Sequence, residues 1–170
     1  MQIGDLEIRD SLPASFYSAF TDEDAKKHAC AIETWAQAHN LKFGCKSVDQ
    51  DLPTWYIITD TPSGPTFLLT MQPLHEITNA SGRRQEQGIL DVPFHRMNDA
   101  PFGEMSNRRE LLEQLHRVLP QGKPMDTSKT SSWWPIGWRP LVESHKLARF
   151  LGVLEAAVVQ MRNQPVGMAP

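Results

Sequence analysis

The sequence predicts an α+β protein, in which an antiparallel sheet of three to five strands has helices packed on one face as a two-layer sandwich. Apolar residues recur with helical spacing in three separate proline-free windows of the chain. Segments rich in β-branched and aromatic residues lie between the first two predicted helices, and a turn rich in proline and glycine joins two of them. Strands joined by such a short turn are antiparallel and need no helical crossover, which leaves one sheet face for the helices.

The first helix is predicted between Asp22 and His39. Thr21 is its candidate N-cap, and the acidic residues at 22–24 suit the positive end of the helix dipole. Asn40 suits the end of the helix. The apolar side of this helix is a narrow stripe that consists of Ala25, Ala29, Ile32 and Ala36.

Three β segments follow, at positions 41–45, 55–59 and 66–71. The turn chemistry of residues 60–65 predicts that the last two segments form an antiparallel hairpin. Residues 74–78 or 88–92 are candidates for a fourth strand. Residues 79–105 have no clear period, so we expect either a long loop or a strand that the pattern does not reveal.

Two further helices are predicted in the C-terminal half of the chain. The first starts near Ser106 and ends at Pro120, and its apolar face consists of Leu111, Leu112, Leu115, Val118 and Leu119. The polar run at 121–132 is predicted to be a surface loop. The last helix opens at Pro140 and ends before Pro165, with an apolar stripe at Leu147, Leu151, Leu154, Val158 and Met161.

Length and composition suit one globular domain. At 170 residues and 40% hydrophobic content, the chain can bury a core of its own. We expect a single α+β domain over residues 1–165 and a flexible tail at 166–170. The N-terminus lacks the basic and apolar regions of a secretory signal, and no apolar run approaches membrane-spanning length. We therefore expect a cytoplasmic protein with no membrane partner.

The tryptophan-rich segment is the most informative feature for function. Three of the five tryptophans lie within six positions, next to Pro135 and Pro140. Proline and glycine disfavour a regular helix or strand here, so the segment is predicted to be either a plug of the core or a rigid aromatic contact surface. Tryptophan and arginine dominate the energetics of binding surfaces. The candidate binding residues are Trp133, Trp134, Trp138, Arg139 and Lys129.

A cluster of histidines and acids in the central segment 75–99 supports a second hypothesis, a small hydrolase or metal-dependent enzyme. Two imidazoles and a carboxylate could act as an acid–base pair or bind a metal ion. Pro93 prevents a helix from aligning these residues, and no recognised metal-binding spacing occurs, so we expect neither a metal nor a cofactor. The residues concerned are His75, Glu76, Asp91, His95 and Asp99.

Charge gives a third hypothesis only weak support. The net charge is −3, but residues 1–60 carry a net charge of −5 and residues 117–170 a net charge of +4. This asymmetry could orient a partner. A single-stranded nucleic acid could stack on the tryptophans beside the basic end, although the dense basic face typical of nucleic-acid binding is missing.

Other classes of site lack their sequence patterns. A metal nuclease built on Asp60 and Glu33 would need a carboxylate and a lysine on the next strand, which reads Thr-Met-Gln-Pro at 70–73. Neither a nucleophile elbow nor a phosphate-binding loop occurs. Cys30 and Cys45 fit no disulfide framework, so we expect two reduced, mostly buried thiols, with a structural bridge as the alternative.

The leading hypothesis from the sequence is therefore a small cytoplasmic, bacterial, non-enzymatic module that binds another protein. The hypothesis covers proteins that act as chaperones, immunity proteins or regulatory adaptors. The hypothesis depends on the aromatic segment, on the charge asymmetry and on the missing catalytic motifs. The sequence also allows a homodimer.

Overall fold

The computed structural model describes residues 3–46, 52–97, 102–103, 105–119 and 133–163, with the backbone alone at 95, 105, 106 and 133–135. Within these residues the strands are β1 (Glu7–Arg9), β2 (Lys42–Cys45), β3 (Trp55–Thr61), β4 (Gly64–Thr78), β5 (Arg84–Pro93) and β6 (Trp133–Pro135). The helices are α1 (Ala14–Ser18), α2 (Glu23–Ala38), α3 (Met105–Val118), α4 (Trp138–Ser144) and α5 (Leu147–Arg162). Short 3-10 turns lie at Ile3–Asp5 and Phe94–Arg96.

The sheet is an antiparallel meander, in which the strands lie side by side in chain order from β1 to β6. Phe43 of β2 lies opposite Ile57 of β3, and Ile57 lies opposite Leu69 of β4. The predicted α+β class is confirmed. The described sheet has six strands, more than the three to five predicted, because the outermost strands have only three residues each and are too short to reveal a period.

One face of the sheet forms the main core with the helices. The sheet residues Phe43, Ile57 and Met71 belong to one hydrophobic cluster with buried residues of all the described helices. The buried helix residues include every member of the three predicted stripes except the partly buried Leu147. Burying a side chain of this size stabilises the fold by about 1.5–3 kcal/mol, so this face fixes where the helices lie.

The opposite face of the sheet carries a second, smaller cluster. Tyr56 and Ile58 alternate along β3 with residues of the main core, so they point to the other side of the sheet. They pack with Leu6 and Phe67, and Ile3 covers part of the group. The rings of Tyr56 and Phe67 lie 5.0 Å apart, edge to face. The middle of the sheet is therefore buried on both faces.

The first predicted helix is observed as α2, with a different N-cap. Asp22, not Thr21, caps the helix, because its side chain accepts a hydrogen bond from the Ala25 N–H at 2.8 Å. Thr21 instead donates its backbone N–H to the carbonyl of Leu74 at 3.0 Å. Asn40 has a φ of 57° and ends the helix as predicted.

The hairpin predicted around residues 60–65 is confirmed. Thr61 of β3 pairs with Gly64 of β4, and the two residues between them form the turn. Both candidates for a fourth strand are also strands. Residues 74–78 are the end of β4, and residues 88–92 belong to β5.

The hairpin of β4 and β5 decides between the two expectations for residues 79–105, since this segment contains a strand. β4 continues to Thr78, and a bulge between Gln72 and His75 lets it pass Pro73. Residues 84–87 of β5 are all exposed. With neither side of this stretch buried, its sequence has no apolar alternation, and the strand could not be predicted.

Two expectations for the C-terminal third were wrong. Residues 133–135, expected to be neither helix nor strand, form β6, because a strand at the edge of a sheet tolerates proline. The single helix expected from Pro140 is two helices, which are separated at His145 by a left-handed backbone with φ of 55°. The predicted loop at 121–132 and tail at 166–170 lie outside the described residues.

Gly88 and Gly152 give a matched pair of stability measurements. A Cβ atom at Gly88 would lie 2.8 Å from both the Cα of Leu74 and the carbonyl oxygen of Pro73, and these backbone atoms cannot move cheaply. We expect Gly88→Ala to lower the free energy of unfolding by about 1–3 kcal/mol. Gly152 on α5 faces open space, and we expect Gly152→Ala to raise it by about 0.5–1 kcal/mol. Urea denaturation measures the free energy of unfolding of both variants. Equal changes in the two variants would contradict the close approach of the backbone to Gly88 at the bulge.

Candidate functional site

The predicted contact residues Trp133 and Trp134 lie on β6, at one edge of the sheet. Their backbones pair with residues 92–93 of β5. Directly after the strand, the N–H groups of residues 136 and 137 donate to the carbonyl of Leu90 at 2.9 and 3.1 Å. These hydrogen bonds hold the backbone of the tryptophan strand against the sheet.

Trp138, the third tryptophan of the segment, is a core residue. Its side chain is 1% exposed, and its ring packs edge to face on Phe20 at 5.3 Å. The indole Nε1–H donates to the carbonyl of Gln72 at 2.8 Å. A partner protein has no access to this ring, so Trp138 closes the core rather than forming part of a contact surface.

Arg139 makes intramolecular ion pairs that join two parts of the fold. Its Nε and Nη2 atoms donate to the two carboxylate oxygens of Glu86 on β5, at 2.9 and 2.6 Å. Nη2 also lies 2.9 Å from Oδ2 of Asp22, the N-cap of α2. The hydrogen bond from Ala25 and the charge of Arg139 lower the pKa of Asp22, while the bond to Glu86 raises the pKa of Arg139. The guanidinium group of Arg139 is therefore paired with two carboxylates of its own chain.

Of the predicted contact residues, Trp138 is therefore buried, and the 40% exposed side chain of Arg139 is already paired with Glu86 and Asp22. Trp138 and Arg139 hold α4 against the hairpin of β4 and β5. Lys129 lies outside the described residues. Trp133 and Trp134 remain as candidates for contact with a partner, on an edge strand whose following residues are fixed by the core.

The histidines and acids of the central segment do not converge among the described side chains. The Nδ1 atom of His75 lies 2.9 Å from the carbonyl oxygen of Pro73, and Glu76 pairs with Arg84 at 3.3 Å. His75 lies opposite position 87 of β5, four residues from Asp91 and therefore about 13 Å away along the strand. The side chain at 95 and residue 99 lie outside the described part.

A small polar site that sequence reasoning missed lies on the face of the sheet opposite the helices. Tyr56, Thr70 and Asp91 follow one another across β3, β4 and β5 in register. The Thr70 hydroxyl is buried and has no hydrogen-bond partner among the described residues. No hydrogen bond or ion pair within the described residues reaches the carboxylate of Asp91 either. Burial raises the pKa of Asp91 to about 6.

Two members of this polar row, Thr70 and Asp91, have polar groups that the described residues do not satisfy. Burial also raises the pKa of Tyr56, although the positive charge of Arg96 opposes that shift. Arg96 lies over the Phe67 ring at 5.7 Å. Groups with perturbed pKa values gather at functional sites, so Asp91 is the described acid most suited to proton transfer or to binding a hydrogen-bond donor. The sequence alone could not align these residues, since their register depends on the bulges.

Glu33 is hydrogen-bonded within the fold, and both cysteines are free thiols. Glu33 accepts hydrogen bonds from the Tyr17 hydroxyl, at 2.9 Å, and from the backbone N–H of Leu12. Burial of Tyr17 and the hydrogen bond from its hydroxyl to Glu33 raise the pKa of that hydroxyl. Cys45 is buried as expected, but Cys30 is exposed, and neither forms a disulfide.

Comparison with family models, with curated proteins and with solved structures gave no match. No group of three or more histidine, cysteine or acidic side chains that could hold a metal ion occurs among the described residues. Within the same part of the chain, every helix is too short or too polar to cross a bilayer.

We expect Trp138→Ala to destabilise the protein by about 3–5 kcal/mol, because it leaves a cavity beside Phe20. Trp138→Phe keeps a ring but leaves the carbonyl of Gln72 without its donor, and should cost about 1–3 kcal/mol. Urea denaturation followed by circular dichroism measures both. An unchanged midpoint for Trp138→Ala would mean that the ring is not part of the core.

Asp91→Asn should stabilise the protein, but only at neutral and higher pH. Since burial raises the folded-state pKa to about 6, the ionised carboxylate costs stability above that pH, and the cost disappears as the pH falls toward about 4. Because solvent screens this half-buried group, we expect a gain of about 1–2 kcal/mol at pH 7.5 and almost none at pH 4. Denaturation midpoints across this range measure the gain, with Asp60→Asn at an exposed position of β3 as the control. A loss of stability at pH 7.5 would show that Asp91 has a favourable partner.

Proposed function

We propose that this protein is a small cytoplasmic module that binds another protein, of the chaperone, immunity or regulatory adaptor type, through the edge strand β6. The observation that carries the proposal is the location of Trp133 and Trp134 on β6, the outermost strand beside β5 among the described residues. Tryptophan is the residue most enriched in binding hot spots.

The rigid attachment of this strand supports the proposal. Backbone hydrogen bonds to Leu90 and the buried ring of Trp138 fix the chain directly after β6. A contact strand that is already ordered loses little conformational entropy when a partner binds, so more of the interaction energy appears as affinity. The backbone of an edge strand can also hydrogen-bond to an extended segment of a partner. Pro135 lacks an N–H and limits such pairing to the tryptophan end of the strand.

The rival hypotheses receive less support from the described residues. A hydrolase or metal enzyme of the central segment would need His75, Glu76 and Asp91 to converge, whereas the sheet register separates His75 from Asp91 by about 13 Å. Single-stranded nucleic-acid binding would use the tryptophans and the basic C-terminal third of the chain. Of these residues, Trp138 is buried and Arg139 is paired with two carboxylates.

A photo-cross-linking amino acid at position 133 or 134 tests the proposal in cells that produce the full chain. We expect it to capture one discrete protein, whereas the same group at exposed position 149 on α5 should not. The purified partner should then bind Trp133→Ser or Trp134→Ser at least about tenfold more weakly, as expected for hot-spot residues.

Stability measurements on the same variants separate binding from folding. The melting temperature of Trp133→Ser and Trp134→Ser should change by less than about 3 °C, which corresponds to about 1 kcal/mol in a chain of this size. Unfolding of both variants would contradict the proposal, and so would equal capture at 149. Quenching of tryptophan fluorescence by an oligonucleotide, reversed by salt, would favour the nucleic-acid hypothesis instead.

A further inference from the structure

The opposite edge of the sheet has a sequence that is complementary to itself. β1 consists of Glu7, Ile8 and Arg9, and within the described part of the chain it is the outermost strand, next to β2. The carboxylate of Glu7 accepts a hydrogen bond from Nη2 of Arg9 at 3.1 Å, within the same strand. The side chain of Glu7 is 49% exposed and that of Arg9 is 39% exposed, so a second chain can reach both charges.

Ile8 lies at this edge on the same sheet face as the smaller hydrophobic cluster, because it aligns with Tyr56 through Gly44, and it is incompletely covered. It lies opposite Gly44 of β2, and a Cβ atom on Gly44 would lie 3.2 Å from Cδ1 of Ile8, 2.9 Å from Cδ1 of Leu6 and 2.7 Å from Cδ1 of Ile58. The lack of a side chain at Gly44 thus allows the three side chains to meet. Ile8 is nevertheless 46% exposed, which is high for a large apolar residue in a strand.

We propose that β1 is a homodimer edge, at which two copies of the chain pair antiparallel around a two-fold axis through Ile8. In this register Glu7 of one protomer lies directly opposite Arg9 of its partner, and Arg9 lies opposite Glu7. The two Ile8 side chains lie opposite each other. Directly opposite residues of antiparallel strands approach to about 4.5–5.5 Å between Cβ atoms, within reach of an ion pair. The two sheets become continuous, and both exposed edges are covered.

The charges make the second copy a better occupant of this edge than an arbitrary peptide. A β1 strand presents its acid and its base at positions two residues apart on one face, and an antiparallel strand that also reads acid, any residue, base from its N-terminus satisfies both. The same chain, rotated by the two-fold axis, supplies that order. A pairing of three residues per strand buries less than the roughly 1,600 Å² of a standard interface, so we expect a dissociation constant between about 10 μM and 1 mM.

Charge exchange at Glu7 and Arg9 tests the inference by sedimentation equilibrium of the full chain. Glu7→Arg and Arg9→Glu, each alone, place like charges opposite each other twice in the dimer, and each should weaken self-association at least about tenfold. The double variant Glu7→Arg/Arg9→Glu should restore it. An equimolar mixture of the two single variants should form a heterodimer, because the arginines of one chain then face the glutamates of the other.

Glu143→Arg on α4 is the matched control, because it changes the net charge as Glu7→Arg does but lies away from β1. This variant should dimerise with the same affinity as the wild-type chain. Circular dichroism checks that every variant is folded. A wild-type chain that stays monomeric at 1 mM would overturn the inference. Dimerisation of the single variants with unchanged affinity would also overturn it, because the interface would then lie elsewhere.

Discussion

The buried indole of Trp138 is the contact on which the joining of sheet and helices depends. It lies between Phe20, which follows α1, and Gln72 of β4, and it begins α4. A bulge removes backbone groups of this part of β4 from the regular ladder. Trp138 supplies a donor to the carbonyl of Gln72, and Thr21 supplies one to the carbonyl of Leu74. Donors on Trp138 and Thr21 therefore satisfy carbonyl groups at the bulge of β4, and the same hydrogen bonds attach the helical layer to the sheet.

The parts of the fold that the sequence predicted are those with a local pattern. The stripe of α2, the stripe of α5 and the hairpin at 60–65 each follow from residues close together in the chain. The exposed half of β5 was missed because solvent on both of its sides removes the alternation that reveals a strand. The strand at 133–135 was missed because proline is excluded from the interior of a sheet but not from its edge.

The candidate site was harder to predict than the fold, because its contacts join residues that are distant in the chain. The sequence identified Trp138 and Arg139 as candidate binding residues. It did not reveal that Trp138 hydrogen-bonds to Gln72 or that Arg139 pairs with Glu86 and Asp22. Asp91 was noted only as one of several central acids. Its position beside Thr70 depends on a strand register that the bulge between Gln72 and His75 shifts. Such shifts have no reliable pattern in a single sequence.

The meander order has a consequence for how the chain folds. Strands β2 to β5 are each joined to the next by nine residues or fewer, so they can assemble as successive hairpins with short loop closures. β6 can join only after residues 94–132, which include α3, have been brought round to β5. We expect the tryptophan strand and the Trp138 ring to be added late in folding, so that closure of the core depends on the last part of the sheet to form.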